Sequence, residues 1–494
     1  MSKKYTLKNY KTYLILFFFS VSFLGNAQIG IGTITPNASA VLDITSTTQG
    51  LLTPRMTTAQ RIAIATPTDG LLVYDTTIKS FYFYSSATSL WTLVNSGAAP
   101  RLNFKRIRAG DNLAVVLATE LAAGSGTKYV MTANTLYEIN GAISFNLPID
   151  LNTAYIQGLD ANEDIISKTG GVLFEGSTGG SIKNLTLTTT GTVFNLSGAA
   201  TGTFLLRDTV IANSASVGTI AGFGLVFCSI VNYSGNTNGI TYTNIGQLLL
   251  SNMAWFSNNS GTYEKFTGTF NLIEKQGGFS NVNTGAYGLD VSTAGLTITG
   301  DAVLESVVFT GPTPANYVKP YTTGTYTGYN FNNSWTVRAA GIPTEADANA
   351  VGDFSIDYAV GSGAQTTFNS SNPSNSVKVA GVSTSSNLFR FSNDALSNRL
   401  RYLGKKKRIF QVAGSISFQV QAVGTYIIYI AKGGVVISQY KIYGRGLANN
   451  DIVVLPLNAS VELSNNEYIE VYAQRFSGGS NDNIIVPNMA ITIR

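Results

Sequence analysis

Residues 224–261 read GLVFCSIVNYSGNTNGITYTNIGQLLLSNMAWFSNNSG, and this stretch decides the fold. Leu, Val, Ile and Phe recur at every second position in "LVFCSIV" and "QLLLSNMAW", the pattern of a strand with one face turned inward. Each run ends in Asn, Ser or Gly, the residues of tight turns. Related runs lie on either side: "SIKNLTLTTTG", "FLLRDTVIANS", "FNLIEKQGGFSN" and "AGLTITGDAVLESVVFTG". Setting Asp208, Cys228 and Ser251 at equivalent places gives a period of ~20–24 residues, in the range of solenoid repeats. One such unit cannot bury its apolar face alone, so the units are expected to stack as a right-handed parallel β-helix over residues 129–311. A β-sandwich would also supply short strands, with less regular spacing and more hairpin turns.

The flanks differ. After residue 377, "RIFQVAGSISFQVQ", "TYIIYIAKGGVVI", "NDIVVLPLNASVELS" and "EYIEVYAQRF" belong to a series of eight alternating strands, expected as an antiparallel jelly-roll β-sandwich over 377–494. Residues 312–376 are rich in Pro, Gly, Ser and Asn and read as a linker or transition region. Residues 28–100 read as a small α+β head. In it Thr57 and Gln60 form a capping box, and an aromatic meander follows. A connector, 101–128, joins head to helix. The chain is all-β apart from that head.

Charge and chemistry are thin. Asp, Glu, Lys and Arg make up 12% of the chain, and there is no His. That removes Ser-His-Asp and Cys-His nucleophiles and His-ligated zinc. Cys228 is alone in an apolar strand, so no disulfide framework exists, and it reads as a small buried hydrophobe. A basic start, an apolar "YLILFFFSVSFLG" and "GNAQ" form a signal peptide over 1–27 with cleavage after Ala27. Its four lysines account for most of the net +5, leaving +1 in the mature chain and no electrostatic case for nucleic acid. The apolar run is short for a transmembrane helix, so no membrane insertion is expected. Extracellular or cell-surface placement follows, with the periplasm also open.

"GIGTITPNASAVLDITSTTQGLLTPRMTTAQRIAIATPTDGLLVYDTT" resembles the opening module of secreted Bacteroidetes proteins and phage tail-fibre proteins. The stretch from residue 224 through "TYEKFTGTF" looks like the β-helical shaft of phage structural proteins. "NRLRYLGKKKRIFQVAGSISF" through "MAITIR" looks like a tumour-necrosis-factor-like jelly-roll tip. The resemblance covers most of the mature chain and is specific to architecture. It implies a tailspike-like homotrimer that binds surface glycan or another receptor, and some such proteins cleave polysaccharide. The signal peptide departs from the phage pattern and points to a cellular protein built from fibre-type parts.

Candidate sites are few. Trp255, Phe256 and Tyr263 sit among Asn and Ser and could stack on a sugar, since a flat ring fits the apolar face of a pyranose. Alternation places one of Trp255 and Phe256 inward and the other outward, and core packing competes for each. "GLDANED" holds Asp160, Glu163 and Asp164, and Asp208 follows Arg207. Paired acids could cleave a glycosidic bond, and a solvated turn or a surface ion pair competes. Lys405–Arg408, "KKKR", could meet an acidic polysaccharide or a lipid headgroup, and a solvated turn competes. No metal site and no cofactor are expected. The leading expectation is a trimeric adhesion protein that recognises glycan without catalysis. A polysaccharide lyase or glycoside hydrolase is the alternative, and a purely structural component a third class.

Overall fold

A computed structural model describes residues 28–94, 101–368, 375–478 and 482–494, with Lys11, Leu14 and Ile15. Apart from those three residues, the signal peptide expected at 1–27 lies outside the described residues. The chain divides into two compact units, 1–100 and 101–494.

In the first unit, strands Arg55–Met56, Leu72–Asp75, Ser80–Ser85 and Leu90–Leu93 form one sheet in that order. The last three are an antiparallel meander. Helix Thr58–Ile62 starts at the capping box: Thr57 accepts from the Gln60 amide and the Gln60 side chain accepts from the Thr57 amide. The buried Asp75 carboxylate accepts from Arg61 Nε at 2.9 Å and Thr58 Oγ1 at 2.8 Å. So small a unit covers little apolar surface: Ile34, Val41 and Leu52 are 99%, 78% and 75% exposed.

The second unit opens with a parallel β-solenoid. Its strands stack into a 13-stranded and a 9-stranded sheet, called here the long-strand and short-strand faces, with a two-stranded pair beside them. The strand pairings in these sheets are parallel and in register from turn to turn, except for a shift between Glu305 and Val308 in the last long-strand pairing. One inward column runs Ile182, Leu206, Cys228, Leu250, Lys275 and Leu304. Leu206, Cys228 and Leu250 are spaced by 22 residues, and the next two steps, to Lys275 and Leu304, are 25 and 29. A second ladder is polar. Ser214 N donates to Asn236 Oδ1 at 3.1 Å, Asn236 N donates to Asn259 Oδ1 at 2.8 Å, and Asn259 Nδ2 returns to the Tyr233 carbonyl at 2.6 Å. Each turn therefore satisfies the corner of the next.

The alignment expected from sequence is corrected here. Cys228 pairs with Leu206 and Leu250, not with Asp208 and Ser251. Asp208, Ile230 and Asn252 instead occupy a bend inside each long strand, with φ of 50°, 54° and 51°. A residue in the left-handed region reverses the facing of the residues after it. Val226 and Cys228 point inward before the bend, Val231 and Tyr233 after it.

The boundaries shift as well. Strand Phe104–Arg108, expected in the connector, pairs with Leu136–Asn140 and begins the solenoid. Two short helices, Leu113–Val116 and Ala118–Ala123, follow it in that first turn, where buried Glu120 accepts from Lys105 Nζ and the Tyr137 hydroxyl, each at 2.6 Å. Trp335–Ala340 extends the long-strand face past residue 311. Gly352–Asp357 and Ala364–Thr367, expected in a linker, pair antiparallel with the last strand, Asn483–Ile493. Partners more than a hundred residues away leave no local trace in the sequence.

The carboxyl part is a β-sandwich. One sheet is built on Arg408–Val420, Ile452–Leu463 and Asn483–Ile493, the other on Arg399–Tyr402, Gly424–Lys432 and Tyr468–Ser477. Val412, Ile416 and Ile491 from the first meet Tyr402, Ile428 and Val471 from the second in one apolar core.

Candidate binding surfaces

Two of the three ring candidates belong to the solenoid interior. Trp255 and Tyr263 are both 0% exposed and stack on each other at 4.5 Å between ring centres, 17° from parallel. They form core and are corrected as ligand contacts: Trp255 falls past the bend on an inward position, and Tyr263 faces it from the short-strand face. Phe256 points outward, 41% exposed, with its ring edge-on to Phe279 at 5.2 Å.

Beside these rings lies a pair the sequence did not single out. Lys275 Nζ sits 3.0 Å from Glu264 Oε1 and 2.9 Å from Oε2, with both side chains buried. Lys275 stands in the inward column of Cys228 and Leu250. Burial pushes the Glu264 carboxyl up from its ordinary range and Lys275 draws it partly back. Burial also pushes the Cys228 thiol up to about 12, which keeps it an inert hydrophobe.

The acidic candidates build turns. Asp164 is buried and accepts from the amides of Gly141 at 2.8 Å, Leu159 at 2.6 Å and Asp160 at 3.0 Å. Burial would raise its pKa, yet those three N–H groups win and hold the carboxyl below its usual value, against the need of a general acid. Asp160 accepts from the Asn162 amide at 2.8 Å, and Glu163 is exposed on the same turn. Asp208 sits on the bend of a later strand, 3.9 Å from Arg207. Among the described residues, no group of three or more Asp, Glu or Cys side chains could hold a metal ion, and no helix is long and apolar enough to cross a membrane.

The basic run closes the joint between solenoid and sandwich. Lys405 Nζ reaches the Gly300 carbonyl at 2.5 Å and Asp301 at 3.0 Å, and Lys406 N donates to Asp347 at 2.7 Å. Beneath it, Arg390 is 1% exposed and donates to the carbonyls of Asn333 and Trp335, each at 2.5 Å. Glu345, also buried, accepts from the amides of Asn330 at 2.7 Å and Phe331 at 2.9 Å. Burial raises its pKa, and those amides with Arg390 oppose the rise.

Above this joint opens a cleft of about 610 Å³ lined by Tyr326, Tyr329, Thr325, Ser385, Ser386 and Asn387, among others, none of them charged. Tyr329 lies on Phe389 at 4.2 Å and 23° from parallel. Asp353, set behind the lining, accepts from the Ser386 and Asn387 amides and fixes that wall. Chance spacing of Tyr, Ser and Asn across sixty residues carried no motif, so sequence reasoning missed it. A second groove, about 460 Å³, runs beside Tyr155, Thr203 and Leu205 on the long-strand face.

Residues 30–106 match the family described as the phage tail like trimerisation region. That match supports assembly of three copies. No curated protein matches the chain in sequence. Among solved structures, the tailspike protein of Acinetobacter phage vB_ApiP_P1 overlaps it at 10% identity and a TM-score of 0.32, over 90% of this chain and 98% of that one. The enzymatically active domain of tailspike protein 4 from bacteriophage CBA120 overlaps at 10% and 0.24, over 89% and 77%. Eiger TNF from S. frugiperda overlaps 29% of this chain and 92% of its own at 5% identity and 0.20. Scores this low transfer nothing of those proteins' chemistry to this one.

Proposed function

We propose that the chain is an exported, fibre-like homotrimer that adheres to surface glycan without turning it over. The observation that supports glycan recognition most is the cleft above the joint. Tyr329 offers a ring held in place by Phe389, and hydroxyl and amide groups of Thr325, Ser386 and Asn387 surround it. A few placed polar groups around a ring suit a neutral sugar. Adhesion without turnover is favoured because the acids a hydrolase would use are occupied: Asp164 by three backbone amides, and Asp208 alone with Arg207. The trimer accounts for the head, whose match to a trimerisation region coincides with apolar side chains left in water by one copy.

Size exclusion with light scattering, using the chain from Gln28 and a panel of bacterial and algal polysaccharides, reads assembly mass and polymer length together. The expected result is three chains bound to polymer of unchanged length. Tyr329→Ala should weaken binding about tenfold, the scale of one aromatic contact. Polymer that shortens with time would replace adhesion with cleavage.

A further inference from the structure

Two outward columns of the solenoid, one on each face, are unlike, and the long-strand face also carries a polar column of Lys183, Arg207, Ser229, Ser251 and Gln276. On the short-strand face one outward column reads Asn195, Thr219, Thr241 and Lys265, and continues to Lys319 past Asp290, which is buried. On the long-strand face the matching column reads Phe104, Leu136, Tyr155, then Leu205, Phe227 and Leu249, interrupted by Ser181 and running as far as Glu274. Water suits the first column and not the second.

Ile230 sharpens the contrast. It occupies the left-handed bend at φ 54° and is 49% exposed. At the same bend the neighbouring turns carry Asn184, Asp208, Asn252 and Gly277, residue types that tolerate such a φ. A β-branched side chain there is strained, and leaving it in water adds a second penalty. Burial against something outside this chain removes the second penalty and offsets the first. Phe256 and Val308, each 41% exposed, continue the apolar surface beyond the bend.

We infer that the long-strand face of the shaft, centred on Ile230, packs against a second copy of this chain, so that the trimer is joined along the shaft as well as at the head. The occupant follows from continuity. The match to the trimerisation region runs to residue 106, and its last residues lie in Phe104–Arg108, the first strand of this same face, with Phe104 heading the apolar column. The stretch Leu205, Phe227 and Leu249 offers a glycan no side-chain donors or acceptors. The inference rests on the trimeric reading above.

Cysteine accessibility tests it on the full chain from Gln28. The native Cys228 is buried and supplies no background. Leu249 and Thr241 are both partly exposed in a single copy, one on each face. In an assembly of three chains, Thr241→Cys should take a bulky maleimide freely, and Leu249→Cys should react at least about tenfold more slowly. Tyr155→Cys, 48% exposed in one copy, repeats the test elsewhere on the face should Leu249→Cys not fold. Ile230→Asn, which suits the bend, should leave each copy folded and speed labelling of Leu249→Cys. Equal labelling on both faces of a trimer overturns the shaft interface and leaves the trimer standing. A scattering mass of one chain overturns both.

Discussion

The solenoid and the sandwich bury their polar groups in different places. Between the two sheets of the sandwich the core is apolar, with Ile416, Ile428 and Val471 typical of it. The solenoid interior holds a Glu–Lys pair and, over three turns, a polar ladder of Ser214, Asn236 and Asn259. The difference follows from construction. A sandwich closes two sheets over one volume, and its buried ion pair, Arg475 with Asp482 at 3.4 Å, joins the end of one strand to the residue before another and does not repeat through the core. A solenoid offers every inward residue a neighbour directly above and below, so a polar group in one turn can be met from the next. The tightest test of this contrast is the pair. Lys275→Met leaves the Glu264 carboxyl buried without its partner and should destabilise the shaft by about 3–5 kcal/mol, whereas Lys275→Met with Glu264→Leu should recover most of that. Urea unfolding should place the loss in the solenoid and leave the sandwich where it was. Equal loss in single and double variants would mean that packing around Trp255, and not the charge, is what matters.

The asparagine corner is a smaller step. Asn259→Ala orphans the buried Asn236 backbone amide and takes from the Tyr233 carbonyl one of its two donors, leaving Phe256 N at 3.2 Å. Loss of about 1–3 kcal/mol is expected, the range for buried groups left without partners. Hydrogen exchange should show the turns on either side opening first, since a solenoid is held turn by turn. Uniform loss of protection over the whole shaft would contradict that picture.

These tests also mark how far the sequence could be read. Strand alternation in "LVFCSIV" and "QLLLSNMAW" declared a stacked β-helix because each turn repeats the same facing pattern. It misplaced the register because facing reverses at Ile230 and Asn252, where a left-handed residue interrupts the period of two. Of the ring candidates, parity along the strand was enough to set Trp255 and Phe256 on opposite sides, yet it could not place Tyr263, whose surroundings come from the other face. The basic run was legible as a turn and not as the joint, because Asp301 and Asp347 lie far back in the chain. Nothing local announced the cleft at Tyr329.

The smallest effect concerns Asp164, and its sign separates a structural acid from a chemical one. Its carboxyl is held below the usual 3.8, burial raising it and the amides of Gly141, Asp160 and Leu159 lowering it further. An acid with a depressed folded pKa binds fewer protons folded than unfolded. Its contribution is therefore present in full above the usual value and lost as pH falls through the folded one. Asp164→Asn should then cost about 1–2 kcal/mol at neutral pH, with the two chains converging as pH falls through the depressed folded value. Urea midpoints of both proteins across that range decide the matter. A deficit that stays constant in acid would mean that the side chain's shape, and not its charge, holds the turn. A catalytic acid would give the opposite signature, a raised carboxyl whose replacement leaves stability untouched or improved.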